Sequence, residues 1–136
     1  MDLQKNFRCV AQWLVILSLA GCGGSSDTPP LGLVTGVVTM DGEPLAKAVV
    51  SFVPEKGRPS VAMTNADGKY DLIYVDKIHG ALLGEHTVQI TTYVEEDSPE
   101  AKNFKESIPK KYNSASQLKE TVKAGRNEFR FALDSH

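Results

Sequence analysis

The 136-residue sequence predicts an all-β fold built from two stacked antiparallel β-sheets. Seven short segments alternate apolar with polar side chains, which is the period of a strand that has one face on a core. Turns rich in glycine, aspartate, asparagine and proline separate most of these segments at intervals of about eight to twelve residues. No long stretch repeats at helical spacing, so packing one sheet on another is the expected way to bury the apolar faces.

Residues 1–21 have the pattern of a signal peptide. Lys5 and Arg8 form a positive start, and a mainly apolar run from Val10 to Leu19 follows. A membrane-spanning helix needs roughly 20 apolar residues, and this run has about half that number. We therefore expect the segment to target the protein rather than to span a membrane.

The run ends in Leu19-Ala20-Gly21-Cys22, which resembles the lipobox of bacterial lipoproteins. The resemblance implies a diacylglyceryl thioether on Cys22 and cleavage just before it. Gly23–Ser26 then provides a flexible, polar tether. The alternative is an ordinary secretory signal with a chance cysteine at the cleavage point. The expected organisation is a signal peptide over 1–21, a lipidated cysteine and linker over 22–32, and one β-sandwich domain over 33–136.

Two strands open the predicted domain. Segment 34–40 places apolar residues on one parity and threonines on the other. The Asp-Gly-Glu-Pro sequence at 41–44 then predicts a turn and a hairpin. Segment 48–53 is apolar on both faces, so we expect both faces to be covered, and Pro54 ends it because proline lacks a backbone donor.

The middle of the domain predicts three more strands. Segments 61–64 and 70–74 flank Asn-Ala-Asp-Gly at 65–68, which predicts a tight hairpin. A loop is expected over 76–84. The fifth strand, 86–92, is rich in threonine, whose β-branched side chain favours an extended backbone.

Residues 95–113 form a long segment without clear alternation, and compact domains rarely leave so many residues unstructured. Ser98-Pro99 fits the N-cap and first position of a helix. Ala101, Phe104 and Ile108 follow at helical spacing. We expect a turn or two of helix packed over the sandwich, and we place the partner-binding surface on this segment because long ordered loops often carry binding.

The domain ends in two further strands. Leu118 and Val122 mark the sixth strand, and Ala-Gly-Arg-Asn at 124–127 predicts a turn. The seventh strand, 129–133, alternates apolar residues with Arg130 and Ala132.

Five motifs follow one another along the chain: Gly36–Thr39, Asp41–Leu45, Ala48–Phe52, Thr64–Tyr70 and Gly84–Val88. Taken in this order and spacing, they resemble the carboxypeptidase regulatory-like domain family. The resemblance runs from about Leu33 to Leu133 and implies a seven-stranded antiparallel Greek-key sandwich of the transthyretin (prealbumin) type. Members are mostly accessory or interaction modules without a shared active site, so the fold carries no activity across. Ile-Pro-Lys-Lys-Tyr-Asn at 108–113 and Asn-Glu-Phe at 127–129 are similar to small planctomycete lipoproteins.

Composition argues against a nucleic-acid partner and against disulfide bonds in the mature domain. The formal net charge is −2, and Lys110-Lys111 is the only basic pair, so no nucleic-acid partner is expected. The two cysteines are Cys9, which would leave with the signal peptide, and Cys22. A disulfide in the mature domain is therefore excluded, and its stability must come from packing.

Cofactor and metal sites are not expected. Asp41 and Asp67 stand beside glycines in predicted turns, but neither has the alternating oxygen ligands and closing glutamate of a calcium loop. His79, His86 and His136 lack the spacing of a zinc site.

A hydrolase is the enzymatic alternative, because transthyretin-related hydroxyisourate hydrolases share the expected fold. No G-x-S-x-G motif is present. The chain also ends Phe-Ala-Leu-Asp-Ser-His rather than in the tyrosine-arginine-glycine-serine tail that completes that active site. A cleft that gathers His79 or His86 with Arg58 or Arg126 would favour this alternative.

A carbohydrate-binding module is the other alternative. Tyr70 and Tyr74 share parity with Leu72 and are expected in the core, whereas Tyr93 and Tyr112 flank the long segment and are expected to be exposed.

The favoured interpretation is a non-enzymatic cell-envelope module that contacts an envelope protein or gives structural support. We expect no catalytic residues and no cofactor, and we expect lipid on Cys22 to anchor the module to the membrane. The residue after Cys22 is Gly23 and not the aspartate that is associated with inner-membrane retention in some bacteria. Its identity therefore favours the outer membrane.

Overall fold

The computed structural model describes residues 27–136. The predicted signal peptide, Cys22 and residues 23–26 of the predicted linker lie outside the described residues. The described part forms two β-sheets. Sheet A contains β1 (Leu31–Met40), β2 (Glu43–Pro44), β5 (Lys69–Asp71), β8 (Ala81–Leu82) and β11 (Gly125–Leu133). Sheet B contains β3 (Ala48–Pro54), β4 (Ser60–Met63), β6 (Ile73–Val75), β7 (Ile78–His79), β9 (Gly84–Thr92) and β10 (Lys119–Val122).

Strand β1 is the centre of sheet A. It pairs in parallel with β11 along its length, from Gly32 opposite Gly125 to Met40 opposite Leu133. Its other side pairs in antiparallel fashion with β8, β5 and β2 in turn. Sheet B runs in the order β10-β9-β3-β4-β6-β7, and its pairs are antiparallel. The fully antiparallel prediction is therefore wrong for sheet A.

Both predicted hairpins form only in part. β1 pairs in antiparallel fashion with the short β2, and Val61 pairs in antiparallel fashion with Ile73, but β3 and β5 join the opposite sheets from those expected. Asp41 and Gly42 do turn the chain with positive φ, but the returning strand β2 has two residues and β3 joins the other sheet. Thr64 guides this crossing, because its hydroxyl donates to Leu45 O and accepts from Ala48 N. The turn at 65–68 likewise carries the chain from sheet B to sheet A. Turn chemistry shows where a chain reverses, not which sheet the next strand joins.

Strand boundaries differ from the predictions at three places. β1 begins at Leu31, so Leu31 and Gly32 lie in a strand rather than in the linker. The predicted strand 70–74 is divided at Leu72 between β5 in sheet A and β6 in sheet B. The predicted loop 76–84 contains the two-residue strands β7 and β8. The seven predicted strands therefore correspond to part of a larger set of segments.

The core lies between the two sheets. Phe52 of sheet B contacts Phe131 of sheet A, with ring centroids 6.2 Å apart. The fully buried residues of each strand share one parity, as alternation predicts. β4 also alternates, but its larger apolar side chains are on the outer face: Ser60 and Ala62 face the core, whereas Val61 and Met63 are exposed. The second face of β3 is half-buried rather than covered.

The long segment 95–113 contains two short helices of the 3₁₀ type, in agreement with the expected turn or two of helix. Ser98 caps the first, Pro99–Asn103, and its hydroxyl accepts from Ala101 N at 3.3 Å. The second is Lys110–Tyr112. Within residues 27–136, no helix is long and apolar enough to cross a membrane.

The two parts of this segment differ in burial. The first 3₁₀ helix has no buried residue, whereas Ile108, Tyr112 and Asn113 are buried. The Asn113 amide lies 3.3 Å from Ile90 O and 3.1 Å from Ile108 O, so it fixes the second part to β9. The second part is a structural element of the sandwich.

Candidate functional site

A cleft of about 450 Å³ lies on the outer face of sheet A. Strand register explains how its residues meet. Thr35 of β1 stands opposite Asp71 of β5, and Leu33 stands opposite Arg126 of β11. These residues are neighbours on one sheet face. The cleft is lined by Leu33, Thr35, Asp71, His79, Arg126 and Asn127.

His79 reaches this cleft because the chain between β7 and β8 passes close to β1. Gly80 adopts φ 120° and donates its backbone N–H to Leu72 O at 2.8 Å. A Cβ atom on Gly80 would lie 2.7 Å from Gly32 O. The approach therefore needs glycine at position 80.

The central contact of the cleft is an Asp–His pair. His79 Nδ1 lies 3.0 Å from Asp71 Oδ2, and both side chains are about half exposed. When Nδ1 carries a proton it donates to the carboxylate, which orients the ring and leaves Nε2 as the nitrogen for proton exchange. The Arg126 guanidinium supplies fixed positive charge in the same cleft.

Asn127 is a structural member of the cleft rather than a free ligand group. Its Nδ2 donates to Leu33 O at 3.0 Å and to Lys123 O at 2.8 Å, while its Oδ1 accepts from Lys123 N at 3.0 Å. These bonds join the turn between β10 and β11 to β1. They therefore fix the backbone beside Arg126.

The chemistry available here is acid–base catalysis or anion binding. The sequence has no cysteine after Cys22, and the lining hydroxyl of Thr35 belongs to a strand and not to a nucleophile elbow. Over residues 27–136, no three histidine, cysteine, aspartate or glutamate side chains group as metal ligands. Asp41 accepts instead from Ser135, and these hydrogen bonds lower the pKa of its exposed carboxyl.

The histidines that the sequence offered as candidate site residues lie in different surroundings. The structure brings His79 together with Arg126, whereas neither His86 nor Arg58 lines this cleft. His86 is 1% exposed in the core, with Nε2 2.7 Å from Leu82 O. His136 is exposed at the chain end, where its carbonyl accepts from Lys111 Nζ.

Sequence reasoning missed Asp71. Its signal was the alternation of segment 70–74, which placed it on the face opposite Tyr70. Alternation indicates the exposed face, but only strand pairing shows that His79 lies beside it. The alternation alone therefore could not identify the contact between Asp71 and His79.

A second cleft, of about 300 Å³, lies beside the start of β3 and the ends of β4 and β9, next to the long segment. Two exposed apolar side chains mark it: Met63 is 54% exposed and Tyr93 is 47% exposed. The remaining lining residues are mostly polar. The set is Lys47, Met63, Tyr93, Val94, Glu95, Ser98 and Glu100.

The predicted pair of exposed tyrosines is half confirmed. Tyr93 is exposed, but Tyr112 is 8% exposed and its hydroxyl accepts from Asp134 N at 3.0 Å. Tyr70 is buried as predicted, and Tyr74 is half-buried. The prediction that Tyr93 and Tyr112 together form an exposed surface for stacking sugars is therefore wrong.

Comparison with known proteins shows no family. No family model matches the chain, and no curated protein matches it. A DUF3823 family protein from Parabacteroides merdae, solved at 1.80 Å, is similar with a TM-score of 0.42 and 18% identity. The match covers 78% of this chain and 47% of that chain, so this chain spans less than half of the neighbour's length. This likeness is too weak to carry an argument about fold family or function.

Proposed function

We propose that this protein is a lipid-anchored, non-enzymatic β-sandwich module of the bacterial cell envelope that contacts another envelope protein. The anchor is supported by Leu19-Ala20-Gly21-Cys22 and the tether at Gly23–Ser26. Outer-membrane placement is supported by Gly23. The single observation that carries the binding role is the cleft beside Met63 and Tyr93.

The Met63–Tyr93 cleft has the chemistry of a protein-binding surface. A pair of large side chains left half exposed can bury apolar area against a partner. Tyrosine is enriched among the residues that dominate binding energy, because it offers a large rigid surface and a hydroxyl. Lys47, Glu95 and Glu100 surround the pair with charge that can fix orientation.

The neighbouring segment divides into a surface part and a structural part. Glu106 begins the structural part, because its carboxylate accepts from Thr92 N at 2.9 Å and from Ile108 N at 3.0 Å. The binding surface that we propose is therefore limited to residues 95–105 and the Met63–Tyr93 cleft. A deletion that tests it must spare Glu106.

The experiment compares cross-linked envelope proteins recovered with the full chain in cells. Met63→Ser combined with Tyr93→Ser should lower recovery of a specific neighbour about tenfold, equivalent to roughly 1.4 kcal/mol of lost binding. Leu83→Ser is the matched control, since Leu83 is a large exposed apolar residue outside this cleft. Equal recovery from the double variant and the control would contradict this surface.

The Asp71–His79–Arg126 cleft favours hydrolysis as a second candidate function. An imidazole paired with a carboxylate can activate water, and a nearby guanidinium can stabilise developing negative charge. We expect the chain from Asp27 onward to show no hydroxyisourate hydrolysis and to retain no metal after dialysis. Hydrolysis that His79→Ala abolishes would favour the hydrolase instead.

A carbohydrate partner has one remaining aromatic in its favour. Tyr93 can stack on a sugar ring, but Tyr112 cannot join it. Capture of the chain by envelope polysaccharide, lost in Tyr93→Ser, would favour this alternative over a protein partner.

Membership of the carboxypeptidase regulatory-like, transthyretin-type family is likewise a proposal. It is supported by the ordered sequence motifs from Leu33 to Leu133 and by two facing sheets around one core. The parallel pairing of β1 with β11 is a departure from the seven-stranded antiparallel plan expected from the resemblance.

A further inference from the structure

Strand β11 forms a long edge of sheet A. It has nine residues and pairs on one side with β1. Within residues 27–136, no strand pairs with its other side. A long edge strand presents a row of backbone donors and acceptors that can pair with another chain.

The outward backbone groups of β11 can be assigned from two contacts. Leu133 O accepts from Asp41 N, which follows β1, and Phe129 O lies against Gly36 of β1. Odd-numbered residues of β11 therefore direct their backbone polar groups toward β1. Backbone direction alternates along a strand. The even-numbered residues Arg126, Glu128, Arg130 and Ala132 consequently direct theirs toward the open edge.

The register centred on Phe129, the midpoint of β11, pairs the whole strand with a second copy, and charge agrees with this register. Glu128 and Arg130 are exposed neighbours on the same face, with Arg130 Nη2 2.9 Å from Glu128 Oε1. If a second copy of β11 pairs in antiparallel fashion about Phe129, Glu128 of each copy stands opposite Arg130 of the other. Registers centred on Glu128 or on Arg130 place like charges directly opposite, which is unfavourable.

The apolar face agrees with this register. Phe129 points to the sandwich interior but is only half-buried, because it lies at the sheet edge and packs against the core cluster. At the centre of the antiparallel pair, each Phe129 would stand opposite the other in a non-hydrogen-bonded position, where side chains approach most closely. Pairing would thus cover apolar surface while it satisfies the outward backbone groups.

We propose that two copies of this chain associate edge to edge through β11, in antiparallel orientation about a two-fold axis at Phe129. Sheet A becomes continuous across the pair. The proposal does not depend on the lipid anchor or on the Met63–Tyr93 cleft. It can fail while the proposed function stands, and the reverse also holds.

Disulfide trapping in cells that produce the full chain tests the register. Phe129→Cys places two thiols on the axis at about 4.5 Å between Cα atoms, within disulfide range. Treatment with diamide should give a strong dimer band that a reductant removes. Val61→Cys is the control, because Val61 is exposed in sheet B, and the unaltered chain shows the contribution of Cys9 and Cys22. Absence of the dimer, or an equal band from Val61→Cys, would overturn the proposal.

A second pair of variants keeps the test valid if Phe129→Cys fails to fold. Chains carrying Glu128→Cys and Arg130→Cys, with different tags, should form a mixed disulfide in preference to either like pair. The mixed pair is directly opposed, whereas like pairs lie diagonally at about 7–8 Å between Cα atoms. A β11 thiol that cross-links to a different protein, or to its like copy in preference, would overturn pairing in this register.

Charge exchange provides an independent measurement on the Phe129→Cys background. Adding Arg130→Glu should reduce the dimer band several-fold, and adding Glu128→Arg as well should restore it, because the opposed charges become complementary again. Lys69→Glu is the matched control, since Lys69 belongs to β5 and not to the edge. A reduction that the double exchange does not reverse would contradict the assigned register.

Discussion

At the residue scale, Tyr70 and Gly36 connect three strands of sheet A, because a hydrogen bond from β5 to β11 passes over β1 at Gly36. Tyr70 Oη donates to Phe129 O at 2.7 Å and thereby reaches across β1 at Gly36. A Cβ atom on Gly36 would overlap Phe129 O and lie 2.6 Å from Tyr70 Oη. Burial, followed by the charges of Glu120 and Glu128, raises the pKa of Tyr70, so the hydroxyl remains a neutral donor.

Replacing this glycine should be costly. We expect Gly36→Ala to lower the free energy of unfolding by about 1–3 kcal/mol, because the methyl group overpacks the contact between Tyr70 and Phe129. Tyr70→Phe should cost about 0.5–1.5 kcal/mol through the lost hydrogen bond. Thr35→Ala, on the exposed neighbour, is the control and should stay within about 0.5 kcal/mol. Urea unfolding measures all three, and a neutral Gly36→Ala would contradict the close approach.

Glu106 should give the fold a measurable acid sensitivity. Burial alone would raise the pKa of its carboxyl, but hydrogen bonds from Ile108, Thr92 and Ser107 together lower it below the ordinary value of 4.5. A lowered folded pKa stabilises the fold above the unfolded pKa, and this stabilisation is lost as pH falls through the folded pKa.

Glu106→Gln should therefore lower stability near neutral pH and flatten the decline below pH 4.5. Urea midpoints recorded from neutral pH downward measure the effect, with Glu100→Gln on the exposed 3₁₀ helix as the control. Glu120 acts in the opposite direction, because burial raises the pKa of its carboxyl. The stability that its protonated form contributes is lost as pH rises through the pKa of the folded state. An unchanged acid slope in Glu106→Gln would show that its hydrogen bonds do not contribute.

At the element scale, alternation along β11 makes a direct prediction. Phe131 is 6% exposed and contacts Phe52 and Tyr70, whereas Arg130 is exposed. Phe131→Ala should lower the free energy of unfolding by about 3–5 kcal/mol. Arg130→Ala should change it by no more than about 0.5 kcal/mol. Equal effects in urea melts would mean that the two residues do not face opposite sides.

Sequence patterns predicted strands better than they predicted pairing. Most strand cores and the buried parity of β1, β9 and β11 were readable, because period-two alternation is a local consequence of burying one face. The partners of β3 and β5 were not, since pairing depends on where the chain crosses between sheets. β4 shows that side-chain hydrophobicity alone does not identify the buried face, because its two largest apolar residues, Val61 and Met63, are exposed.

The candidate sites follow the same division. Tyr93 was found because it flanks an irregular segment, whereas Tyr112 was misplaced because a 3₁₀ turn returns it to the core. The contact between Asp71 and His79 depends on tertiary structure, since it joins β5 to β7 across the two sheets. No local pattern encodes such a contact.

At the scale of the whole molecule, the described domain offers three candidate surfaces. The Met63–Tyr93 cleft lies apart from the other two, whereas the Asp71–His79–Arg126 cleft and the β11 edge share Arg126, and one core supports them all. A tethered module with several surfaces can bind a neighbour and a second copy together. The proposed lipid anchor would hold copies on one membrane, which would raise their effective concentration and favour such contacts.

The central claim is that lipid on Cys22 holds this module at the membrane, and detergent-free fractionation of Cys22→Ser tests it most directly. Each buried lipid methylene contributes about 0.8 kcal/mol, and the polar tether adds little apolar surface. The unaltered chain should sediment with membranes, and the processed variant should move to the soluble envelope fraction. A processed Cys22→Ser protein that still sediments with membranes would show that the lipid is not the anchor.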